Sequence, residues 1–115
     1  MVWRKKTLSP KRYTIYYADL NPTIGSEINK VRPVVIISQD AMNQHLDTVV
    51  VCPLTSKLHP QWRSRLQITC AGKEAEIAVD QIRTISKKRL RQRIDQLLAT
   101  QASQLRRIIT DMYGE

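Results

Sequence analysis

The segment KVRPVVIIS, residues 30–38, sets an arginine against a stiff apolar run. A guanidinium offers a planar fork of donors that matches two phosphate oxygens, and it stays protonated to a pH above about 12. Pro33 fixes its own φ and pushes the residue before it, Arg32, toward an extended conformation. The β-branched residues Val34 to Ile37 then read as a strand buried on both faces. An arginine fastened in this way has little play, which suits a group that must meet developing negative charge. Taken alone, an arginine beside a strand is more often a surface residue, so its meaning depends on what surrounds it.

Charge is the next signal. Nineteen Lys and Arg stand against ten Asp and Glu, a formal net charge of +9 with a pI near 10.0. That balance favours a polyanionic partner, either nucleic acid or an acidic protein. The cations cluster, with five in residues 4–12 and six from Arg83 to Arg93 in RTISKKRLRQR. One charge run is usually a solvated face; two on so basic a chain shift the balance toward nucleic acid.

Other chemistry finds little support. Cys52 and Cys70 lie far apart in apolar contexts (VVVCP and LQITC) and read as small core residues, with no disulfide expected in a reducing compartment. His45 and His59 have no ligand-like spacing, so neither a metal site nor a cofactor is expected. No apolar stretch approaches the roughly 20 residues of a membrane span, and the basic N-terminus lacks a signal-peptide apolar core. A cytoplasmic protein with no membrane association is the expectation. The 115 residues suit one domain, 1–115, with residues 1–10 a basic N-terminal extension.

The elements that would position Arg32 follow from periodicity. YTIYYADL (13–20), PVVIIS (33–38), TVVVCPLTS (48–56), RSRLQITC (63–70) and AEIAVDQIRTI (75–85) read as strands. NPTIGSEINK (21–30) reads as a long loop, QDAMNQHLD as a polar connection and Ala71-Gly72 as a turn. Pro53, lacking an N–H, should end regular pairing or force a bulge. The period then changes: Leu97, Leu98, Leu105, Ile108, Ile109 and Met112 form a helical stripe, which Thr100 or Ser103 could cap. These elements predict a mainly β protein, an SH3-like antiparallel β-barrel with a C-terminal α-helix.

The segments YYADLNPTIGSE, KVRPVVIIS, VVVCPLTSK and AVDQIRTISKKRL occur in an order that resembles the MazF/PemK/Kid family of toxin endoribonucleases, across roughly residues 11 to 113. The resemblance implies a barrel, usually a homodimer, that cuts single-stranded RNA without a metal. It also implies a cognate antitoxin whose acidic or amphipathic tail covers the RNA groove. Where the family commonly has Gly-Asp before the first strand, this chain has Tyr13-Thr14, which implies loss of a tight turn and a carboxylate there.

RNA carries its own nucleophile. A 2′-hydroxyl aligned with the adjacent phosphate can expel the 5′-oxygen and leave a 2′,3′-cyclic phosphate, if the protein aligns the groups, moves protons and stabilises charge. By resemblance Arg32 and Thr55 are the catalytic pair, with Ser56 able to supplement the Thr55 hydroxyl. One branch of the family uses an Arg-x-Asp pair; Asp80 keeps the acid, but the arginine position is Ala78. Asp80, Gln81 and Glu27 are therefore expected to support the site or position RNA. Lys30, Lys57, Arg83, Lys87 and Lys88 are candidate phosphate contacts, and Trp62, or Tyr17, could stack a base. Two rivals remain: a non-enzymatic toxin similar to CcdB, which binds DNA gyrase, and a non-catalytic nucleic-acid-binding SH3-like module. The C-terminus RIITDMYGE lacks the terminal Trp on which CcdB-like proteins rely.

Overall fold

The computed structural model describes residues 9–21, 25 and 30–114. Among these residues seven strands and two α-helices follow in the order β1 (Thr14–Asp19), β2 (Val31–Ile36), α1 (Asp40–His45), β3 (Thr48–Thr55), β4 (Arg65–Cys70), β5 (Lys73–Ala78), β6 (Arg83–Ser86), β7 (Leu90–Gln96) and α2 (Ala99–Tyr113). All pairs are antiparallel, in the order β4-β5-β3-β2-β1-β7, with β6 also on β3. The sheet curls into a half-barrel with α2 against its hollow. No helix among the described residues is long and apolar enough to cross a membrane.

The β-branched run of β2 does what its composition demands. Val35 and Ile37 enter the core under α2 with Ile15, Leu54, Ile77 and Leu105, whereas Val34 and Ile36 enter a second cluster with Leu20, Val49, Val51 and Ile85. Alternation along a strand with both faces covered explains why no polar residue interrupts it.

Pro53 lies inside β3 and is tolerated there for a local reason. One edge of β3 pairs with β6 from Thr48 to Val51 and with β5 at Leu54 and Thr55. Between them the partner strand is broken by a 3-10 turn, Val79–Gln81. The missing N–H thus falls where the ladder changes partner, and β2 continues to pair along the other edge, Pro53 opposite Val34. The segment 75–85, expected as one strand, is split by this turn into β5 and β6.

Three further differences have physical causes. The polar connection contains α1, anchored by Asn43, which is fully buried and satisfied by Ser38 and the Pro10 carbonyl. The basic run supplies a strand, β7, whose hydrophobic alternation is too sparse to announce it. Helix α2 begins after Leu98, one residue past the buried Leu97, so Thr100 and Ser103 fall inside it; Gln101 Oε1 instead accepts the Leu98 N–H at 2.9 Å. Along the stripe Leu105 is fully buried, while Leu98 and Met112 remain exposed.

The turn before β1 survives the loss of glycine. Tyr13 takes a left-handed φ of 69°, its N–H donates to the Ile36 carbonyl and its own carbonyl accepts from Leu97. Such a conformation costs a residue with a Cβ about 1–2 kcal/mol. Its ring lies under the Arg12 guanidinium at 4.8 Å, and its hydroxyl accepts from Arg106. Both Tyr13→Gly and Tyr13→Ala remove the ring contacts, but only glycine relieves the backbone. Urea denaturation should find the glycine variant more stable than the alanine variant by about 1 kcal/mol; equal stabilities would mean that the backbone is not left-handed.

Candidate active site

The β2–β3 ladder runs from Ile36–Val51 to Val34–Pro53. Extending that register by two residues sets Arg32 across from Thr55, and here a pocket of about 370 Å³ opens that both residues line. Its apolar floor includes Pro33, Leu54, Cys70, Ala75 and Ile94, and Tyr17, Ser56, Ala71, Lys73 and Glu74 complete the wall. Arg32 is half-buried, so its stem is held by the strand and its head reaches the pocket. Thr55 Oγ1 accepts the Lys57 N–H at 3.1 Å, a local turn that occupies a lone pair and leaves the hydroxyl proton for an incoming oxygen. The pair can therefore present a cation and a hydroxyl donor to one phosphate.

Lys73 and Glu74 were not legible as pocket residues. They are brought there by the β4–β5 hairpin, closed by Ala71 and Gly72 with φ of 50° and 82°. Two consecutive positive φ values are the mark of a hairpin turn whose twist matches its strands. Asp95 Oδ2 accepts the Ala71 N–H at 3.0 Å and holds the tip. That amide and the Gln96 amide hold the Asp95 carboxyl below its ordinary range.

Asp80, Gln81, Trp62, Lys30, Lys57, Arg83, Lys87 and Lys88 do not line this pocket. Glu27 lies outside the described residues, as does most of the loop that contains it. Asp80 belongs to a second constellation. Arg65 sits opposite Ala78 in the β4–β5 register and reaches Asp80 with Nε at 2.8 Å and Glu76 with Nη1 at 2.5 Å. The arginine that position 78 lacks is thus supplied beside Asp80 from the neighbouring strand. Glu76 is fully buried and also accepts from the His59 N–H and Gln67 Nε2. Trp62 stacks on His59 at 4.0 Å and carries the Arg65 guanidinium at 4.6 Å, so its ring is engaged within the protein. Glu76 stands opposite Thr55 in the β3–β5 register, and its hold on the His59 amide fixes the loop that leaves Thr55.

The basic run also divides. Arg89 donates to the carbonyls of Asp19 and Asn21, Arg83 to that of Leu20 at 3.5 Å, and Arg91 approaches Asp19 at 3.7 Å. These side chains buttress the start of the loop that leads to Arg32, where Asn21 Oδ1 accepts the Lys30 N–H. Burial, with Asp80 nearby, pushes the Cys52 thiol up to about 12, which makes it an inert core group.

Fold and pocket together define a small curled β-barrel with an arginine and a threonine set across two strands. The family model described as PemK-like, MazF-like toxin of type II toxin-antitoxin system matches residues 11–113, and the chain belongs to that family. Among solved structures it is similar to the Mycobacterium tuberculosis toxin MazF-mt6, at 24% identity over 87% of this chain and 95% of that one, TM-score 0.75. MazF from Deinococcus radiodurans superposes with a TM-score of 0.82 at 18% identity, over 93% and 98% of the two chains. A mycobacterial endoribonuclease in complex with its cognate antitoxin matches at 20% identity and TM-score 0.76, over 91% and 95%. At these identities the structures speak for the fold.

Two carboxylates around Arg65, the buried Glu76 and the more exposed Asp80, make stability pH-dependent. Burial raises the carboxyl pKa of Glu76 and Asp80, but hydrogen bonds outweigh it and hold both below their ordinary values of 4.5 and 3.8. For Glu76 the donors are Gln67, the His59 amide and Arg65; for Asp80 the first is Arg65. Depressed carboxyl values contribute stability that is complete above the unfolded range and lost as pH falls through the folded values. Glu76→Gln should therefore destabilise the protein at pH 7 by about 3 kcal/mol, the cost of stripping one partner from a buried ion pair. Urea midpoints of variant and parent should converge as the pH drops below about 4; a constant gap down to pH 3 would contradict the ionised Glu76.

Proposed function

We propose that the protein is a cytoplasmic, metal-independent endoribonuclease, the toxin of a type II pair, and that Arg32 and Thr55 carry the reaction. The observation that supports this most strongly is their convergence on one pocket from the ends of β2 and β3. The 2′-hydroxyl attacks the adjacent phosphorus and the P–O5′ bond breaks. The 2′-hydroxyl proton is lost, a proton reaches the departing 5′-oxygen, and the products are a 2′,3′-cyclic phosphate and a 5′-hydroxyl. Arg32 stabilises charge on the non-bridging oxygens and Thr55 donates to one of them. Ser56, also in the pocket wall, stands ready to hold a neighbouring oxygen. Tyr17, 39% exposed in the same wall, offers an aromatic face to an unstacked base.

Glu27, Asp80 and Gln81 fit supporting roles, and Lys30, Lys57, Trp62, Arg83, Lys87 and Lys88 outlying RNA contacts. Arg32→Ala should fold and lose cleavage, Arg32→Lys should recover little because an ammonium has no fork, and Thr55→Ala should lose on the order of 10²-fold. Single-turnover assays in EDTA on matched substrates would show this, and a 2′-deoxyribose at the scissile nucleotide should block the cut. Undiminished cleavage by Arg32→Ala, or of the deoxy substrate, would overturn the mechanism.

Solved relatives include MazE–MazF complexes from Deinococcus radiodurans. For this chain the corresponding partner is a cognate acidic antitoxin acting on a homodimer. A chain of +9 should receive the antitoxin's acidic tail where RNA binds, so the two should compete. Salt should weaken RNA more than antitoxin, because counterion release dominates the former and apolar burial contributes to the latter. Native mass spectrometry should find no ternary complex on one groove; finding one would exclude competition.

A further inference from the structure

A second cavity, of about 410 Å³, lies away from the Arg32 pocket and shares no lining residue with it. Lys11, Arg12 and Arg93 line it together with Gln96 and Tyr13, and no carboxylate does. Two of these three cations are held by the protein. Arg12 Nε donates to the Ile37 carbonyl at 2.9 Å and its guanidinium lies on Tyr13, while Arg93 Nη2 donates to Gln96 Oε1 at 3.0 Å. Both bonds use one edge of a guanidinium and leave other donors for a ligand.

Two acids lie near the cavity without lining it. Asp40 accepts the Arg12 backbone N–H, and Asp95, which senses the charge of Arg93, accepts from the Ala71 and Gln96 amides. Among the described residues none of the three cations forms an ion pair. Converging cations with no carboxylate in the cavity lining and no ion pair among the described residues suit an external anion, and the volume admits a phosphate with its sugar.

The position indicates which anion. Strand β7 is an edge of the sheet, and its pairing with β1 shifts register around Ile94. Ile94 lines the Arg32 pocket while Arg93 and Gln96 line this cavity, so one edge strand contributes to both sites. We propose that the cavity is a phosphate-binding subsite that holds a backbone phosphate of single-stranded RNA after the strand has crossed the β7 edge, remote from the phosphate being cut. The inference rests on the RNA-cleaving reading above.

The test is binding of a 20-nucleotide RNA with 2′-deoxy substitution at the scissile position, read by fluorescence anisotropy across a salt series. Arg93→Glu and Lys11→Glu should each weaken binding about tenfold near 0.1 M salt and lower the log–log salt slope by about 0.7 per lost contact. Arg107→Glu, an equal charge change on an exposed residue of α2 outside the cavity, should have a much smaller effect. Circular dichroism would establish that the variants remain folded. Equal losses from all three variants would mean a general charge effect and overturn the subsite. Inorganic pyrophosphate that shifts the Gln96 and Ala99 amide resonances, while RNA affinity ignores Arg93→Glu, would assign the cavity to a free phosphate ligand and overturn the RNA occupant. Failure of the unaltered protein to bind the oligonucleotide overturns both readings, whereas binding that Arg93→Glu leaves intact overturns this one alone.

Discussion

The register of β2 on β3 is the constraint from which the rest of the molecule follows. It pairs Val34 with Pro53, places the proline where the other edge of β3 changes partner, and so lets a central strand contain a residue that cannot donate. A slip of one residue would turn every side chain to the opposite face. Val34 and Ile36 would exchange clusters with Val35 and Ile37, and Arg32 would no longer face Thr55. Packing on both faces of β2 thus fixes the position of two side chains that lie beyond the ladder. The pocket inherits its geometry from the core rather than from a loop.

Beside that apolar frame sits a compact charged one. Glu76, Arg65 and Asp80 are costly to desolvate, and a well-packed apolar set could equal or exceed their stability. What they supply is definition. Glu76 holds the His59 amide, Trp62 is layered on His59 and Arg65, and the loop that leaves Thr55 has little freedom near its base. At the start of the loop before Arg32, Arg89 and Arg83 do similar work on backbone carbonyls. Each catalytic candidate is thus flanked by a polar clasp that the sequence, read linearly, presents as ordinary surface charge.

Much of the architecture was legible because it rests on local rules. The β-branched runs of β2 and β3, the Ala71-Gly72 turn and the stripe that includes Leu105 and Ile109 each announce one element through side-chain spacing. What escaped depends on partners distant in sequence. The break at Val79–Gln81 answers Pro53, which lies far earlier in the chain. Strand β7 is held by pairing with β1 rather than by its own alternation, and α1 is fixed by one buried asparagine. At the site Arg32 was legible through Pro33, and Thr55 only through resemblance. Lys73 and Glu74 reach the pocket by a hairpin fold that no local pattern encodes. Tyr13 shows the converse: a missing glycine suggested a lost turn, yet tertiary contacts hold the left-handed conformation.

The net charge acquires a structural meaning once the acids are followed individually. Asp40, Asp95 and Asp19 accept backbone N–H groups, and Glu76 accepts one as well. In these places carboxylates complete turns and hold loop bases, a task lysine and arginine cannot perform because they have no acceptor. Acids so employed are placed by the backbone they serve, not by the cations near them. Three arginines near Asp19 in turn spend donors on carbonyls or on that one acid. Further positive side chains gather at the two cavities, Arg32 and Lys73 beside Glu74 in one and Lys11, Arg12 and Arg93 in the other. On a chain of net charge +9, a positive field of this kind raises the local concentration of a flexible polyanion before any specific contact forms. On the proposed RNA-cleaving reading, drawing in the strand and aligning it fall to different residues, so one well-held arginine and one hydroxyl suffice at the cut.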